Sequence, residues 1–236
     1  MCNLYDLGPR RHRNRDDWEE AVARALALSR DEALNHDEAS ETRQDAPETT
    51  SGFRQFGIRK TDPGLVLLPG EQGPDDQVMR WGFRRPWNSA INNARLEKLD
   101  GPWADAWQAR RRCLVPMSAF YEWSGSTGAR QTFAFTPAGE DETLWAAGMW
   151  EKDPEDSSFR YTMITTAATP EVAAVHTRMP ALLRSEHIEE FLGNSDPRAL
   201  LERPVVRLDM FRCRNPLTHI DSHDGPERET FLPGFE

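Results

Sequence analysis

A cysteine stands directly behind the initiator methionine in MCNLYDL. Removal of Met1, usual before a small second residue, would leave Cys2 with a free α-amine and a thiol two carbons apart, a pair that no internal cysteine offers. Both groups are nucleophiles, yet the amine titrates at about 7.7–8.0 and the thiol at about 8.5, so near neutrality each needs a partner to take its proton. Taken alone, Cys2 reads more simply as a small apolar residue opening a strand. Three further stretches hold groups suited to proton transfer or positioning. SAFYEW sets Glu122 in an apolar run, where alternation places Phe120 and Glu122 on one face and Tyr121 and Trp123 on the other. Burial would raise the Glu122 pKa and make it a usable proton donor or acceptor; a structural salt bridge to an arginine would account for it equally. VHTRMPALL sets His176 two residues before Arg178, a proton carrier or an ordinary structural histidine. INNARLEKL brings Asn92, Asn93 and Arg95 together, either as uncharged hydrogen-bonding groups or as turn residues.

Other chemistries find less support. The histidines at 12, 36, 187, 219 and 223 form no metal-binding pattern, and Cys2, Cys113 and Cys213 lie far apart with no CxxC pair. Neither a metal site, a cofactor nor a disulfide framework is expected. The net charge of -10 argues against non-specific nucleic-acid binding over the whole surface, although RRHRNR at 10–15, Arg84 and Arg85, and Arg110, Arg111 and Arg112 are local basic clusters. Each cluster is equally a solvated face. No apolar run reaches the roughly 18 residues of a membrane helix, and the N-terminus lacks the pattern of a secretory signal. A cytoplasmic protein without membrane contact is expected.

These residues must be held by elements that the sequence outlines. DDWEEAVARALALSR at 16–30 has an apolar stripe at helical spacing, acids first and Arg30 last. Residues 31–52 are acidic, Ser/Thr-rich and nearly devoid of large apolar side chains, which predicts an exposed, flexible insertion. Strands are predicted at 64–69, 76–83, RCLVP, SAFYEW, QTFAFTP, TLWAAGMW and RYTMITT. Helices are predicted at 102–111, with Trp103 and Trp107 one turn apart, at PEVAAVH, and at SEHIEEFLGN closed by Gly193. The pattern is α+β, with mostly antiparallel strands, flanking helices and one core.

MCNLY, MRWGF, INNARLE, RRRCLVPMSAFYEW, MITT and VHTRMPALL, in that order, resemble the SOS response-associated peptidase (SRAP) family. The resemblance implies a single domain over 1–236 with a barrel-like antiparallel β core, a basic groove for single-stranded DNA, and Cys2 as the reactive residue. Carried over position by position, it implies catalytic roles for Asn93, Glu122 and His176. It places Arg95 and Arg178 near DNA phosphates, Trp81 in the groove and the Thr165 hydroxyl near the reactive centre. Arg84 and Arg85, with Arg110, Arg111 and Arg112, complete the candidate DNA-binding set. The sequence departs from the family at Asn3-Leu4, where many members have Gly-Arg, at Ala119, where the family has glycine, and in FGIRKTDPGLVLLPG, which lacks the usual Asn-x-x-Pro-Thr segment.

The implied substrate is an abasic site, whose ring-opened sugar carries an aldehyde that a 1,2-aminothiol captures as an imine and then as a five-membered thiazolidine. Glu122 would accept a proton, His176 would protonate the sugar oxygen, and Asn93 would hydrogen-bond the α-amine. Met1 removal by methionine aminopeptidase is favoured over self-cleavage, and a monomer is expected. Two other readings stay open: a cysteine-nucleophile peptidase, and a non-catalytic single-stranded DNA-binding module.

Overall fold

The computed structural model describes residues 2–7, 56–70, 75–126, 128–138, 143–193, 196–202 and 206–218. In chain order its strands are β1 (Leu4–Asp6), β2 (Ile58–Arg59), β3 (Pro63–Leu68), β4 (Asp75–Trp81), β5 (Phe83–Arg85), β6 (Asn88–Ile91), β7 (Asn93–Arg95), β8 (Arg112–Met117), β9 (Ala119–Ser124), β10 (Gln131–Pro137), β11 (Leu144–Lys152), β12 (Phe159–Ala167), β13 (Arg178–Pro180), β14 (Leu182–Leu183) and β15 (Leu208–Cys213). Four short helices accompany them: α1 (Ala104–Gln108), α2 (Pro170–Ala173), α3 (Ile188–Leu192) and α4 (Arg198–Leu201).

The fold is α+β with a closed barrel at its centre. β3 lies antiparallel to both β4 and β8, β8 to β11, and β11 to β12, while β12 returns parallel to β4 and closes the five-stranded ring. Beyond that ring, β12 carries β13 antiparallel and β7 parallel. A second sheet, in the order β15-β10-β9-β1-β2, is antiparallel throughout.

Alternation of side chains explains why the barrel strands read as continuous apolar runs, since both faces are covered. Cys113, Val115, Ala146 and Met163 join one core with Tyr5, Phe120 and Phe135 of the second sheet. Their neighbours Leu114, Ala147 and Ile164 pack instead with Trp103, Trp107 and Phe191 of the helical side. The Tyr5 and Tyr161 hydroxyls meet at 2.6 Å, and the Trp81 ring lies edge-on to Tyr5 and stacked on Tyr161. Gly64 on β3 makes this possible, because a Cβ there would collide with both phenol oxygens.

The sequence-predicted strands are present, with adjusted bounds. The run at 76–83 breaks at Gly82, whose φ of 123° separates β4 from β5. The helix expected over 102–111 is only α1, although Trp103 and Trp107 are both buried as its spacing requires. PEVAAVH forms α2 and leaves His176 beyond its end. SEHIEEFLGN forms a 3-10 turn at Ser185–His187 followed by α3, and Gly193 closes it in an extended conformation (φ -71°) rather than a left-handed one. β2, β6, β7, β13, β14 and β15 are not among the predicted strands, and β1 answers only to the simpler reading of Cys2 as a residue opening a strand. The helix expected at 16–30, the insertion at 31–52 and the basic run at 10–15 lie outside the described residues. Among the described residues, no helix is long and apolar enough to cross a membrane.

Candidate functional site

The chain enters the structure at Cys2, just ahead of β1, and its side chain is fully buried in the core that holds Tyr5 and Trp81. Its carbonyl oxygen accepts two amide donors, Asn93 Nδ2 at 2.7 Å and Asn92 Nδ2 at 3.0 Å. Asn93 therefore grips the carbonyl of Cys2, a different atom of that residue from the α-amine expected from sequence. Both asparagines sit where β6 hands over to β7, and β7 is fixed by parallel pairing with β12, Asn93 opposite Met163. A strand, not a turn, sets them in place. The Cys2 thiol approaches the Leu4 carbonyl at 3.5 Å, and burial pushes its pKa up, with the Glu122 charge adding to the rise.

Glu122 lies on β9, paired with Phe133 of β10, and is buried. The alternation read from SAFYEW holds: Phe120 joins the core with Cys2, whereas Tyr121 and Trp123 pack with Leu4, Ala134 and Cys213 on the opposite face. Burial pushes the Glu122 carboxyl above the usual carboxylate range, opposed by the positive charges of the amino terminus and of His176. His176 supplies a neighbour for it, with Nδ1 3.9 Å from Glu122 Oε1 and the ring about a third exposed. The same Nδ1 lies 3.1 Å from the Arg178 N–H and 3.0 Å from the Arg178 carbonyl. It can accept from the first or donate to the second, so its proton is set locally. A buried carboxylate and a half-buried imidazole thus stand side by side next to Cys2.

Arg178 and Thr165 border this pocket. Arg178 makes a bidentate pair with Glu97, at 2.9 and 3.0 Å, and its Nη2 reaches the Thr165 carbonyl at 2.5 Å and hydroxyl at 3.3 Å. Thr165 is fully buried on β12, opposite the exposed Arg95 of β7. These three residues lie together, with Glu97 as a fourth member that the sequence reading did not name.

The basic groove expected from sequence divides differently. Trp81 is fully buried and donates Nε1–H to the Asn92 carbonyl at 2.9 Å. Its rings face Tyr5 and Tyr161, so it braces the pocket from behind and has no free face for a DNA base. Arg85 pairs with both oxygens of Glu151 and stacks on Phe83 and Trp103. Arg84 meets Asp153, Glu155 and Asp156. Arg112 is buried, donates to the carbonyls of Phe191 and Gly193, and lies over Trp107. Arg110 is exposed and Arg111 half-buried. Among the described residues, the tryptophan that faces solvent is Trp87, 72% exposed in the two-residue turn of the β5–β6 hairpin, whose second strand leads into Asn92. Its signal was present in RRPWNS, since a Pro-Trp turn between polar flanks leaves the indole no core to enter. The sequence reading passed it over for Trp81.

Comparison with known proteins follows the same lines. Over 180 residues the chain is 28% identical to abasic site processing protein YMR114C of Saccharomyces cerevisiae, covering 71% of this chain and 47% of that protein. Over 132 residues it is 31% identical to abasic site processing protein YoqW of Bacillus subtilis, covering 50% and 58%. The chain thus spans about half the length of these relatives. Its fold matches crystal structures of a Bacteroides thetaiotaomicron protein (TM-score 0.62, 19% identity, 75% of this chain and 86% of that one) and a Bordetella bronchiseptica protein (0.61, 23%, 70% and 90%). The sequence profile of the SOS response associated peptidase (SRAP) family matches residues 21–214. With most of its length matched, the chain belongs to the SRAP family.

Proposed function

We propose that this protein processes abasic sites in single-stranded DNA by covalent capture through Cys2, shielding the damaged strand. The observation that carries the reading is the convergence on one buried residue of two asparagine donors, a desolvated carboxylate and a neighbouring imidazole. The names of the yeast and Bacillus relatives supply the substrate class.

The chemistry requires a mature chain that starts at Cys2. Its α-amine adds to the sugar aldehyde and loses one water, giving an imine. The thiol then adds across the C=N bond: sulfur bonds to carbon, the thiol proton reaches nitrogen, and the ring closes as a thiazolidine. Because burial and the Glu122 charge keep the thiol protonated, the amine acts first and the thiol follows onto an already electrophilic carbon. Glu122 accepts the proton that the ammonium must lose, and its raised pKa suits it to return that proton. His176, adjacent and partly exposed, protonates the sugar oxygen during ring opening. Asn93 holds the Cys2 carbonyl and so restrains the residue that bears the amine. Arg95 and Arg178 lie at the rim as phosphate partners, with Thr165 and Glu97 orienting Arg178. Trp87 offers an open face for base stacking.

A purified chain incubated with a single-stranded oligonucleotide bearing one abasic site should give a denaturant-resistant band of the combined mass. Intact mass spectrometry of the free protein should show the loss of Met1. An undiminished band in Cys2→Ala, or a mature chain that keeps Met1, would falsify the reading. A cysteine-peptidase role fits less well, because that chemistry opens with a thiolate and burial raises this thiol's pKa, whereas capture opens with the amine.

A further inference from the structure

Asn92 takes no step in the chemistry above, yet its side-chain amide donates to two acceptors. Its two amide hydrogens go to two acceptors of the N-terminal segment, the Cys2 carbonyl at 3.0 Å and Asn3 Oδ1 at 3.0 Å. Its backbone carbonyl receives the Trp81 indole N–H at 2.9 Å and the Met163 N–H at 3.1 Å. One residue therefore joins the barrel wall, through β4 and β12, to the first peptide group after the reactive cysteine.

We infer that Asn92, together with Asn3, is a positioning residue that fixes the Cys2–Asn3 peptide plane and thereby aims the Cys2 amine; the inference rests on the reading that Cys2 is the reactive residue. The geometry gives the reason. A terminal residue has no preceding peptide to hold it, so its only backbone anchor is the peptide that follows. Asn93 fills one acceptor direction of the Cys2 carbonyl, which stops the carbonyl from moving away but leaves the plane free to rock about that single bond. A second donor from Asn92 fills the other direction, and the Asn3 side chain, clasped by the same amide, fixes the far end of the plane. With the plane held, rotation about the Cys2 Cα–C bond would swing the amine and the sulfur together, so the packing of the sulfur in the core restrains the amine as well. Such restraint acts on the rate of the bound complex more than on DNA affinity, because Asn92 holds protein atoms that react, while the rim residues hold DNA.

Asn3 explains why the device takes this form. Leu4 is fully buried beside Ala119 and Tyr121, so β1 is anchored on one face by apolar packing. Asn3, before it, is exposed and turned toward Asn92.

The test separates rate from binding. Single-turnover crosslinking to an abasic oligonucleotide would be measured at saturating DNA for wild type, Asn92→Leu, Asn92→Asp, Asn3→Leu and Asn3→Asp. Affinity would be measured in parallel on an intact oligonucleotide. Asn92→Leu removes both donors, and Asn92→Asp keeps the size while replacing them with acceptors. Each should slow the saturated rate by about 10- to 100-fold, the scale on which a misplaced reacting group costs rate, with affinity within about 2-fold of wild type. Asn3→Leu should give a smaller loss, and Asn3→Asp, which keeps the acceptor, should restore the rate. Wild-type rates in both Asn92 variants would overturn the inference while Cys2→Ala still abolished the crosslink, leaving the parent reading intact. Equal losses of rate and affinity in both variants would overturn it too, since they would mark general loosening of the fold. A Cys2→Ala protein that still crosslinks would remove the parent reading and this inference with it.

Discussion

The pocket around Cys2 and the hairpin that carries Trp87 are joined by one short strand, yet they are held by opposite means. In the pocket the polar groups are buried, few and mostly uncharged: two asparagine amides, one desolvated carboxylate and a pair of tyrosine hydroxyls. At the hairpin the groups are numerous and charged, with Arg84 and Arg85 facing Glu151, Asp153, Glu155 and Asp156 across the β11–β12 turn. Desolvation dominates the first region, so its energetics follow pH. Coulombic pairing dominates the second, and although Glu151 and Asp153 are buried, the Arg84 pairs with Glu155 and Asp156 lie at a wet surface and their energetics follow salt. Asp156 illustrates the point: partial burial tends to raise its pKa, but hydrogen bonds from Ser158 and Arg160 hold it down to about 2, far below the range where the pocket titrates. On the proposed function, this arrangement keeps the reactive residue in a fixed setting while the ionic surface beside it trades partners with DNA phosphates.

The sharpest way to break the comparison is at Cys2 itself. Cys2→Ala should abolish the denaturant-resistant complex and leave salt-sensitive retention of the oligonucleotide on a gel or filter, because the hairpin and rim are untouched. Glu122→Gln comes next. It should slow crosslinking by about 10²–10⁴-fold, the range of general acid–base catalysis, with little change in affinity. The wild-type rate should fall as pH drops and Glu122 takes up its proton, at a pH above the ordinary carboxylate range, whereas the Glu122→Gln rate should lack that limb. The same acid limb in the variant would show that another group accepts the proton.

The two tryptophans sharpen the contrast further. Trp87→Ala should weaken binding to intact single-stranded DNA by about 1–3 kcal/mol, the scale of one stacked base, with the melting temperature unchanged. Trp81→Ala should instead cost about 3–5 kcal/mol of stability, since it empties a fully buried site between Tyr5 and Tyr161. Stability lost at Trp87 and affinity lost at Trp81 would invert the assignment.

The sequence favoured a tryptophan that the fold buries, for an identifiable reason. MRWGF and RRPWN each set an indole beside arginine, and local chemistry does not say which ring goes inside. Burial of Trp81 is decided by Tyr5 and Tyr161, which lie 76 positions before it and 80 after it, and those contacts exist only once the barrel closes. Arg84 and Arg85 failed to read as neutralised for the same reason, because their carboxylates arrive from the distant β11–β12 turn. Asn93 read as a turn residue because β7 is three residues long and owes its extended form to β12. By contrast, β3 and β8 to β12 were legible because apolar runs bounded by Pro, Gly and charged residues carry their own signal. Glu122 was legible as a site residue because a carboxylate in an apolar strand violates the pattern around it.

The smallest expected effect on crosslinking comes from Asp6, behind the pocket, and it tests whether burial alone gives this side of the molecule its pH response. Asp6 is buried on β1, where the Gly57 N–H donates to Oδ1 at 2.7 Å and the Tyr121 hydroxyl to Oδ2. Burial outweighs both hydrogen bonds and pushes its carboxyl from 3.8 up to about 6. Between those values the folded state holds a proton that the unfolded chain has released. The contribution to stability is therefore full below about pH 4 and is lost as pH rises through about 6, amounting to about 3 kcal/mol. Asn at this position keeps an acceptor for Gly57 and carries no charge to desolvate, so Asp6→Asn should gain on wild type by up to that amount between pH 4 and pH 7. Urea unfolding of both proteins at pH 4, 5, 6 and 7 reads the difference, and taking the difference cancels Glu122 and every other group that titrates in both. A constant gap across that range would mean that Asp6 keeps its ordinary pKa in the folded protein, and the division between a pH-governed interior and a salt-governed hairpin would then rest on Glu122 alone.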